Sequence, residues 1–242
     1  MMKRCIPPLL GIGILLVMVV GSFYLLTGHR TVARADSPVP SLKVQGNQLI
    51  DTTRGVPVVL HGVDRMGSEY NCPWSGSTIF DGSVNNTTID AMLSWHINIV
   101  RLPLNEDCWL GINGAMDAQT YQTAIKDYVT RLNAHGIVVI ADLHWNSPGG
   151  SNKADGQQVM ADEDHAPAFW QGVASIFKGN NSVIFDLYNE PDNKSQSMNW
   201  KCLRDGGSSC SGDSFQVAGM QQLVDTVRST GATNVIMVGG LG

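Results

Sequence analysis

The chain has 242 residues, of which 43% are hydrophobic and 15% charged, with 26 Gly and 10 Pro. A chain of this composition can bury a core, which excludes disordered, collagen-like and coiled-coil proteins. The formal net charge is −5, and without a basic surface to displace counterions from phosphates we expect no nucleic-acid partner.

The first 35 residues have the order of an export signal. Lys3 and Arg4 precede an uncharged stretch over residues 6–26, and alanines stand at positions 33 and 35. This order predicts a secretory signal peptide over residues 1–35, cleaved after Ala35, and a secreted, extracellular protein. The stretch is also long enough to cross a bilayer, so an anchor on the outer face of the cell membrane is the alternative. Residues 36–42 are predicted to be a linker.

Four cysteines follow the signal, an even number that suits an oxidising compartment. They allow three pairings. The short loop between Cys202 and Cys210 favours a disulfide there, which leaves Cys72 to pair with Cys108. No Cys-x-x-Cys spacing or nearby His supports a zinc site, so neither a metal nor another cofactor is predicted.

Beyond residue 42 the chain alternates aliphatic runs with amphipathic helices. One helix is predicted over residues 117–135, ended by Gly136, and another after Ser214. The runs are continuous, as is typical of parallel strands covered on both faces. These predicted strands are Val58–Val63, Ile97–Leu102, Ile137–His144, Ser182–Glu190 and Val235–Gly239.

The spacing of the runs predicts the fold class. They recur about every 45 residues, and long polar loops follow them, as in a (β/α)8 TIM barrel whose active site lies at the C-terminal ends of the strands. No Gly-x-Gly-x-x-Gly follows the first run, which argues against a dinucleotide-binding sheet. Five runs account for about five of the eight βα units of such an α/β barrel. Residues 43–242 are therefore expected to hold the barrel only in part, truncated at the C-terminus.

Polar residues end three of the predicted strands. Arg101, Asp142 with His144, and Asn189 with Glu190 stand where aliphatic runs stop. Charges at the mouth of an apolar barrel are costly unless paired, so an ion-pair network that closes the barrel is one explanation. The convergence of three strands on one face favours an active site.

Four of these segments resemble motifs of glycoside hydrolase family 5, the cellulase-like barrel glycosidases. Leu187–Pro191 is similar to its Asn-Glu-Pro signature, Ile99–Pro103 to its second-strand Arg motif, Asp142–Trp145 to its third-strand His motif, and Val235–Gly240 to its fifth strand. The motifs follow the family's order across residues 43–242. The resemblance thus identifies the N-terminal portion of a catalytic domain.

The resemblance implies hydrolysis of O-glycosidic bonds in a β-linked polysaccharide, with retention of configuration and β-glucan as the expected partner. Glu190 would be the general acid/base, Asn189 would bind the sugar 2-hydroxyl, Arg101 would support the nucleophile, and His144 would line the subsite beside the scissile bond. The family's nucleophile is a Glu on the seventh strand, beyond the five strands found here. Asn189 and Glu190 are adjacent, so both can reach the sugar only if the strand end twists or bulges.

Aromatic residues in the predicted loops suggest sugar platforms, since an indole face packs against a pyranose ring. Trp109 and Trp145 are assigned to this role together with Trp74 and Trp200, although packing under loops is the alternative. Trp95 and Trp170 fall in helical stretches and are expected in the core. His61, after the first run, is a candidate for contact with the glycan or for filling the top of the barrel.

Two other functions fit parts of this pattern. A non-catalytic carbohydrate-binding fragment would keep the tryptophans and Glu190 without a nucleophile. A metal-dependent barrel hydrolase would also use His and carboxylates at strand ends, but it needs a paired-His ligand set, and the first run offers only His61.

The signal peptide gives the first testable prediction. N-terminal sequencing of the exported protein should begin at Asp36, because the small residues at positions 33 and 35 fit the cleavage site. A sequence that begins at Met1 or within residues 6–26 would contradict cleavage.

Overall fold

The computed structural model describes residues 38–75, 78–150, 153–192, 198–210 and 215–241. The predicted signal peptide lies outside these ranges, as does the side chain of Trp74. Among the helices described, none combines the length and apolar character needed to cross a membrane.

A parallel sheet of five strands forms the centre of the fold. The strands follow one another in chain order across the sheet, from β4 (Gly62–Asp64) at one edge to β10 (Ile236–Met237) at the other. A doubly wound sheet reverses its order part-way, whereas a barrel does not. The prediction of a partial TIM barrel is therefore confirmed. The strands are β4 (Gly62–Asp64), β5 (Ile99–Asn105), β6 (Val138–Trp145), β7 (Val183–Asp186) and β10 (Ile236–Met237).

Helices follow the barrel strands. The helix predicted over residues 117–135 is α4 (Ala118–Ala134). The Asp117 side chain caps its first turn by accepting from the Thr120 amide, and Gly136, with a φ of 80°, follows its C-terminus. The helix expected after Ser214 begins only at Met220, because Val217 pairs instead in a short antiparallel ladder of β8 (Gly206–Gly207) with β9 (Val217–Ala218). The helices are α1 (Asn71–Ser75), α2 (Asn86–Ser94), α3 (Glu106–Leu110), α4 (Ala118–Ala134), α5 (Ala166–Phe177), α6 (Trp200–Asp205) and α7 (Met220–Ser229).

An antiparallel sheet of β1 (Leu42–Gln45), β2 (Gln48–Asp51) and β3 (Val56–Pro57) covers the N-terminal ends of the barrel strands. Leu42 is buried in one apolar cluster with residues at those ends, including Ile99 and Val138. Ser182 donates to the Pro40 carbonyl at 2.9 Å. The described part of the predicted linker is thus already packed against the domain.

The first barrel strand begins later than its aliphatic run predicts. Asn98 holds the preceding segment in place: its Oδ1 accepts from the His61 amide at 2.7 Å and its Nδ2 donates to the Val59 carbonyl at 2.9 Å. Parallel pairing with β5 starts at Gly62. His61 therefore lies at the start of β4, at the end of the barrel opposite the predicted site.

The main core lies between the sheet and helices α4 and α5. Trp170 on α5 is fully buried, as predicted, and its Nε1 donates to the Leu187 carbonyl at 3.0 Å. Trp95 is not in the core: it caps the C-terminus of α2 and is 80% exposed. An amphipathic pattern alone does not separate the last helical turn from the cap that follows it.

Both predicted disulfides are present. Cys72 in α1 is bonded to Cys108 in α3, and Cys202 in α6 to Cys210. The first bond links the connections that follow β4 and β5, at the C-terminal end of the barrel.

Truncation of the buried tryptophan should be costly. We expect Trp170→Ala to lower the free energy of unfolding by about 3–5 kcal/mol through lost burial and the cavity left behind, as measured by urea denaturation. Trp95→Ala is the matched control and should stay within about 0.5 kcal/mol, because that ring is mostly exposed. Equal effects of the two changes would contradict this assignment of the core.

Candidate active site

The guanidinium of Arg101 is the centre of the polar groups at the strand ends. Its Nη2 lies 2.8 Å from Asp142 Oδ2 and 3.2 Å from Asp186 Oδ2, and its Nη1 lies 3.6 Å from Asp64 Oδ2. These partners come from β4, β6 and β7. Burial lowers the pKa of Arg101, but the three carboxylates outweigh this effect and raise it above its ordinary value. Arg101 is therefore a permanent cation here.

Asp142 joins this cation to His144. Its Oδ2 lies 2.6 Å from His144 Nδ1, so an Nδ1–H donates to the carboxylate and Nε2 is the nitrogen without a proton. Burial raises the pKa of Asp142, while His144 and Arg101 oppose this effect. His144 is thus oriented through a buried carboxylate that Arg101 also holds.

Asp186, at the end of β7, is a strongly perturbed carboxyl in contact with Arg101. Burial is the largest cause and the negative charge of Asp142 the next, and together they raise its pKa to about 6 although Arg101 lowers it. Because Arg101 is shared among several carboxylates, its charge does not return the pKa of Asp186 to its ordinary value. Asp186 can therefore hold a proton near pH 6.

Asn189 is held from two sides. Its Oδ1 accepts from Arg101 Nη2 at 2.8 Å, and its Nδ2 donates to Gln157 Oε1 at 2.6 Å. Gln157 Nε2 in turn donates to the main-chain carbonyls of Asn189 and Glu190, at 2.9 and 3.0 Å. The amide therefore has one fixed orientation, with its second N–H available to a ligand.

Glu190 has a left-handed backbone, with a φ of 44°. A residue other than Gly, Asn or Asp seldom adopts this conformation, which costs on the order of 1 kcal/mol. The turn interrupts the alternation of side chains, so the adjacent residues Asn189 and Glu190 line the same opening. This is the twist at the strand end that the sequence required.

The opening is a cleft of about 480 Å³ at the C-terminal ends of β7 and β10. Residues 188–191 form one wall and residues 237–241 the other, with Arg101 and Asp186 at its base. Its position is that of the active site in a TIM barrel.

Comparison with known proteins identifies the family. Residues 55–242 match the family model of the cellulases, glycosyl hydrolase family 5. The chain belongs to this family.

The similarity to individual relatives is modest but extensive. The chain is 27% identical over 165 residues to Endoglucanase MaCel5A of Microbulbifer sp. (strain ALW1), covering 66% of this chain and 28% of that protein. It is 23% identical over 243 residues to Cellulase/esterase CelE of Acetivibrio thermocellus, covering 91% and 27%. The catalytic domain of Thermobifida fusca endoglucanase Cel5A (E5) superimposes with a TM-score of 0.55 at 21% identity, covering 84% of this chain and 54% of that structure. The chain thus spans about half of that solved structure.

The predicted site residues separate into two groups. Arg101, Asn189 and Glu190 line the cleft, and His144 is connected to it through Asp142. Trp145 ends β6 half-buried, with its ring centroid 6.1 Å from that of Tyr70.

Trp109 and His61 need correction. Trp109 on α3 is 1% exposed and packs edge-on against Phe169 on α5. It offers no face to a sugar. His61 stands immediately before β4, at the N-terminal end of the barrel strands, and is not among the residues that line the cleft.

Two residues that contribute to the site, Asp186 and Gln157, were not predicted from the sequence. Asp186 follows Ile184 by two residues, on the same face of a buried aliphatic strand. A charged residue at such a position could have been recognised as a candidate site residue. Gln157 lies in a long loop after β6 and meets Asn189 only through the tertiary fold. No local pattern marks it.

The pKa of Asp186 has a consequence for stability. Between about pH 4 and pH 6 the folded chain holds a proton on Asp186 that the unfolded chain releases, so stability falls as pH rises through this window. Relative to Asp186→Asn, the wild type should lose on the order of 1–3 kcal/mol of unfolding free energy across it. Urea denaturation from pH 3.5 to 7.5 measures the difference. Asp155→Asn, which removes a carboxylate from an exposed loop, is the matched control; a constant difference between wild type and Asp186→Asn would refute the assignment.

Proposed function

We propose that the protein is an endo-acting glycoside hydrolase that cleaves β-1,4-linked glucan with retention of configuration, and that Glu190 is its general acid/base. The observation that carries this proposal is the placement of Asn189 and Glu190 in one cleft, with Asn189 fixed by Arg101 and Gln157. Membership of the cellulase family supports the same chemistry.

The proposed reaction has two steps. Glu190 protonates the glycosidic oxygen while a second carboxylate attacks the anomeric carbon from the opposite face, and Glu190 then deprotonates the water that releases the sugar. The two carboxyl groups must lie about 5 Å apart. Asp142 and Asp186 are engaged by Arg101 instead. We assign the nucleophile to a Glu of the seventh barrel strand, as the family resemblance implies.

Asn189 suits the role of a 2-hydroxyl ligand. Its free N–H can donate to that oxygen while Arg101 and Gln157 hold the amide in place. A hydrogen bond at the 2-position strengthens as positive charge develops on the sugar ring, which favours the transition state. His144, whose ring is oriented by Asp142, is proposed to contact the adjacent sugar.

A polymeric substrate is supported by the surroundings of the cleft. Trp200 is 69% exposed at the start of α6, and the edge of its ring lies beside Gly240 in the cleft wall. We assign Trp200 and Trp145 as platforms for successive glucose units. Related structures of this fold have been solved in complex with cellopentaose and cellotetraose. The predicted signal peptide and the two disulfides support an extracellular site of action.

The role of Glu190 is tested with leaving groups of different acidity. For the protein as its gene encodes it, Glu190→Gln should lower kcat/KM on soluble β-glucan by about 10²–10⁴-fold. Formation of the glycosyl-enzyme from a dinitrophenyl cellobioside should persist, because that leaving group departs without a proton. Azide should accelerate turnover and yield the β-glycosyl azide, as measured by NMR.

Glu163→Gln is the matched control, since its carboxylate accepts from Gln222 at 2.8 Å outside the cleft, and it should keep wild-type activity. Equal losses of Glu190→Gln on both substrates, without an azide response, would reject Glu190 as acid/base. A wild type that hydrolyses no β-glucan would reject the proposed substrate.

A further inference from the structure

A second polar cluster lies away from the cleft. Glu106 is the first residue of α3, and Asp162 and His165 immediately precede α5. Both carboxylate residues are 0% exposed, and His165 is half-buried. One donor atom from each of the three lies within 4.8 Å of the other two.

Three oxygen atoms face His165 Nδ1. The main-chain oxygen of Ser147 lies 3.3 Å away, at hydrogen-bond distance, while Asp162 Oδ1 at 3.6 Å and Glu106 Oε1 at 3.8 Å lie beyond it. Two ligand atoms at about 2.0–2.2 Å from a shared metal ion lie roughly 3–4 Å from each other. The four atoms therefore have the separations of ligands around one ion, which would replace the hydrogen bond between Nδ1 and the Ser147 carbonyl.

The cluster also holds two buried carboxyl groups in contact. Glu106 Oε2 receives no hydrogen bond from an amide, hydroxyl or cationic group, and the Glu106 and Asp162 carboxyl groups are close enough to hydrogen-bond to each other if one of them is protonated. Asp107 is buried beside it, although the Ala154 amide and Asn113 satisfy its oxygens. Within the described ranges, no Lys or Arg forms an ion pair with Glu106, Asp107 or Asp162. Buried carboxylates that face each other need a cation or a shared proton between them.

Neighbouring groups already orient the proposed ligands. Asp162 Oδ1 accepts from the His165 amide at 2.8 Å, and Asp162 Oδ2 accepts from Asn146 Nδ2 at 2.8 Å. The Ser147 amide donates to Glu106 Oε1 at 3.3 Å. Such outer hydrogen bonds fix the direction of ligand lone pairs in metal sites.

We propose that Glu106, Asp162 and His165 bind a structural divalent transition-metal ion of the Zn²⁺ type. Imidazole nitrogen and carboxylate oxygen are both ligands of Zn²⁺, whereas Ca²⁺ takes six to eight oxygens. The ion would clamp the loop after β6 to α3. That loop carries Gln157, which holds the main chain of Asn189 and Glu190. The metal would therefore stabilise the active-site loop without taking part in bond cleavage.

The test begins with the metal content of the wild-type protein, which needs no variant. After equilibration with Zn²⁺ and gel filtration, elemental analysis should find one zinc per chain, with only nitrogen and oxygen ligands by X-ray absorption. Dipicolinate should lower the Tm by several degrees, and Zn²⁺, but not Ca²⁺, should restore it. The Glu106→Gln/Asp162→Asn double variant should retain less than a tenth of that zinc.

Asp164→Asn is the control, because it removes an exposed carboxylate of the same segment and should keep one zinc per chain. A wild type that binds no zinc and shows no change in Tm with Zn²⁺ would overturn the proposal in favour of a shared proton. Retention of zinc by the double variant, or a response to Ca²⁺ alone, would overturn it as well.

Discussion

One guanidinium group, that of Arg101, fixes the relative positions of the strand ends on which the site depends. Asp64, Asp142 and Asp186 each approach it from a different strand, and Asn189 accepts a hydrogen bond from the same nitrogen that contacts two of the carboxylates. The guanidinium carries a single positive charge and cannot neutralise all three carboxylates. Burial and the neighbouring charge of Asp142 therefore keep the pKa of Asp186 raised, and a guanidinium N–H fixes the side chain of Asn189. The arrangement of the strand ends and the raised pKa of Asp186 both involve the contacts of Arg101.

The second constraint comes from outside the barrel. Gln157 holds both the side chain of Asn189 and the main chain of Glu190, but it stands on a loop with no regular secondary structure around it. Tyr188 ties that loop to the strand end by donating to the Gln158 carbonyl. The Glu106, Asp162 and His165 cluster lies where the loop returns to the body of the fold. The positions of Asn189 and Glu190 in the cleft therefore depend on a long loop whose anchoring contacts lie away from the cleft.

The features that could be predicted from the sequence are those with a local physical cause. Continuous aliphatic runs predicted parallel strands, and the apolar stripe with its glycine stop predicted α4 within one residue at each end. The platform role predicted for Trp109 is wrong because this ring is buried against Tyr121 and Phe169, contacts that only the tertiary fold creates. The position of His61 was predicted wrongly because the side chain of Asn98, distant in sequence, binds the segment before β4, and the strand begins only at Gly62. The cluster of Glu106, Asp162 and His165 could not be found from spacing, because Glu106 and Asp162 are 56 residues apart along the chain.

The left-handed turn at Glu190 bears on how this enzyme family can evolve. Glycine adopts such a turn without steric cost, so the backbone would be more relaxed if position 190 carried no side chain at all. Under the acid/base role proposed for Glu190, selection for thermal stability alone would then remove this carboxyl group, while selection for activity would keep it. Laboratory evolution of heat-tolerant variants would have to hold this position fixed and gain stability elsewhere, because stability and the proposed role favour different residues.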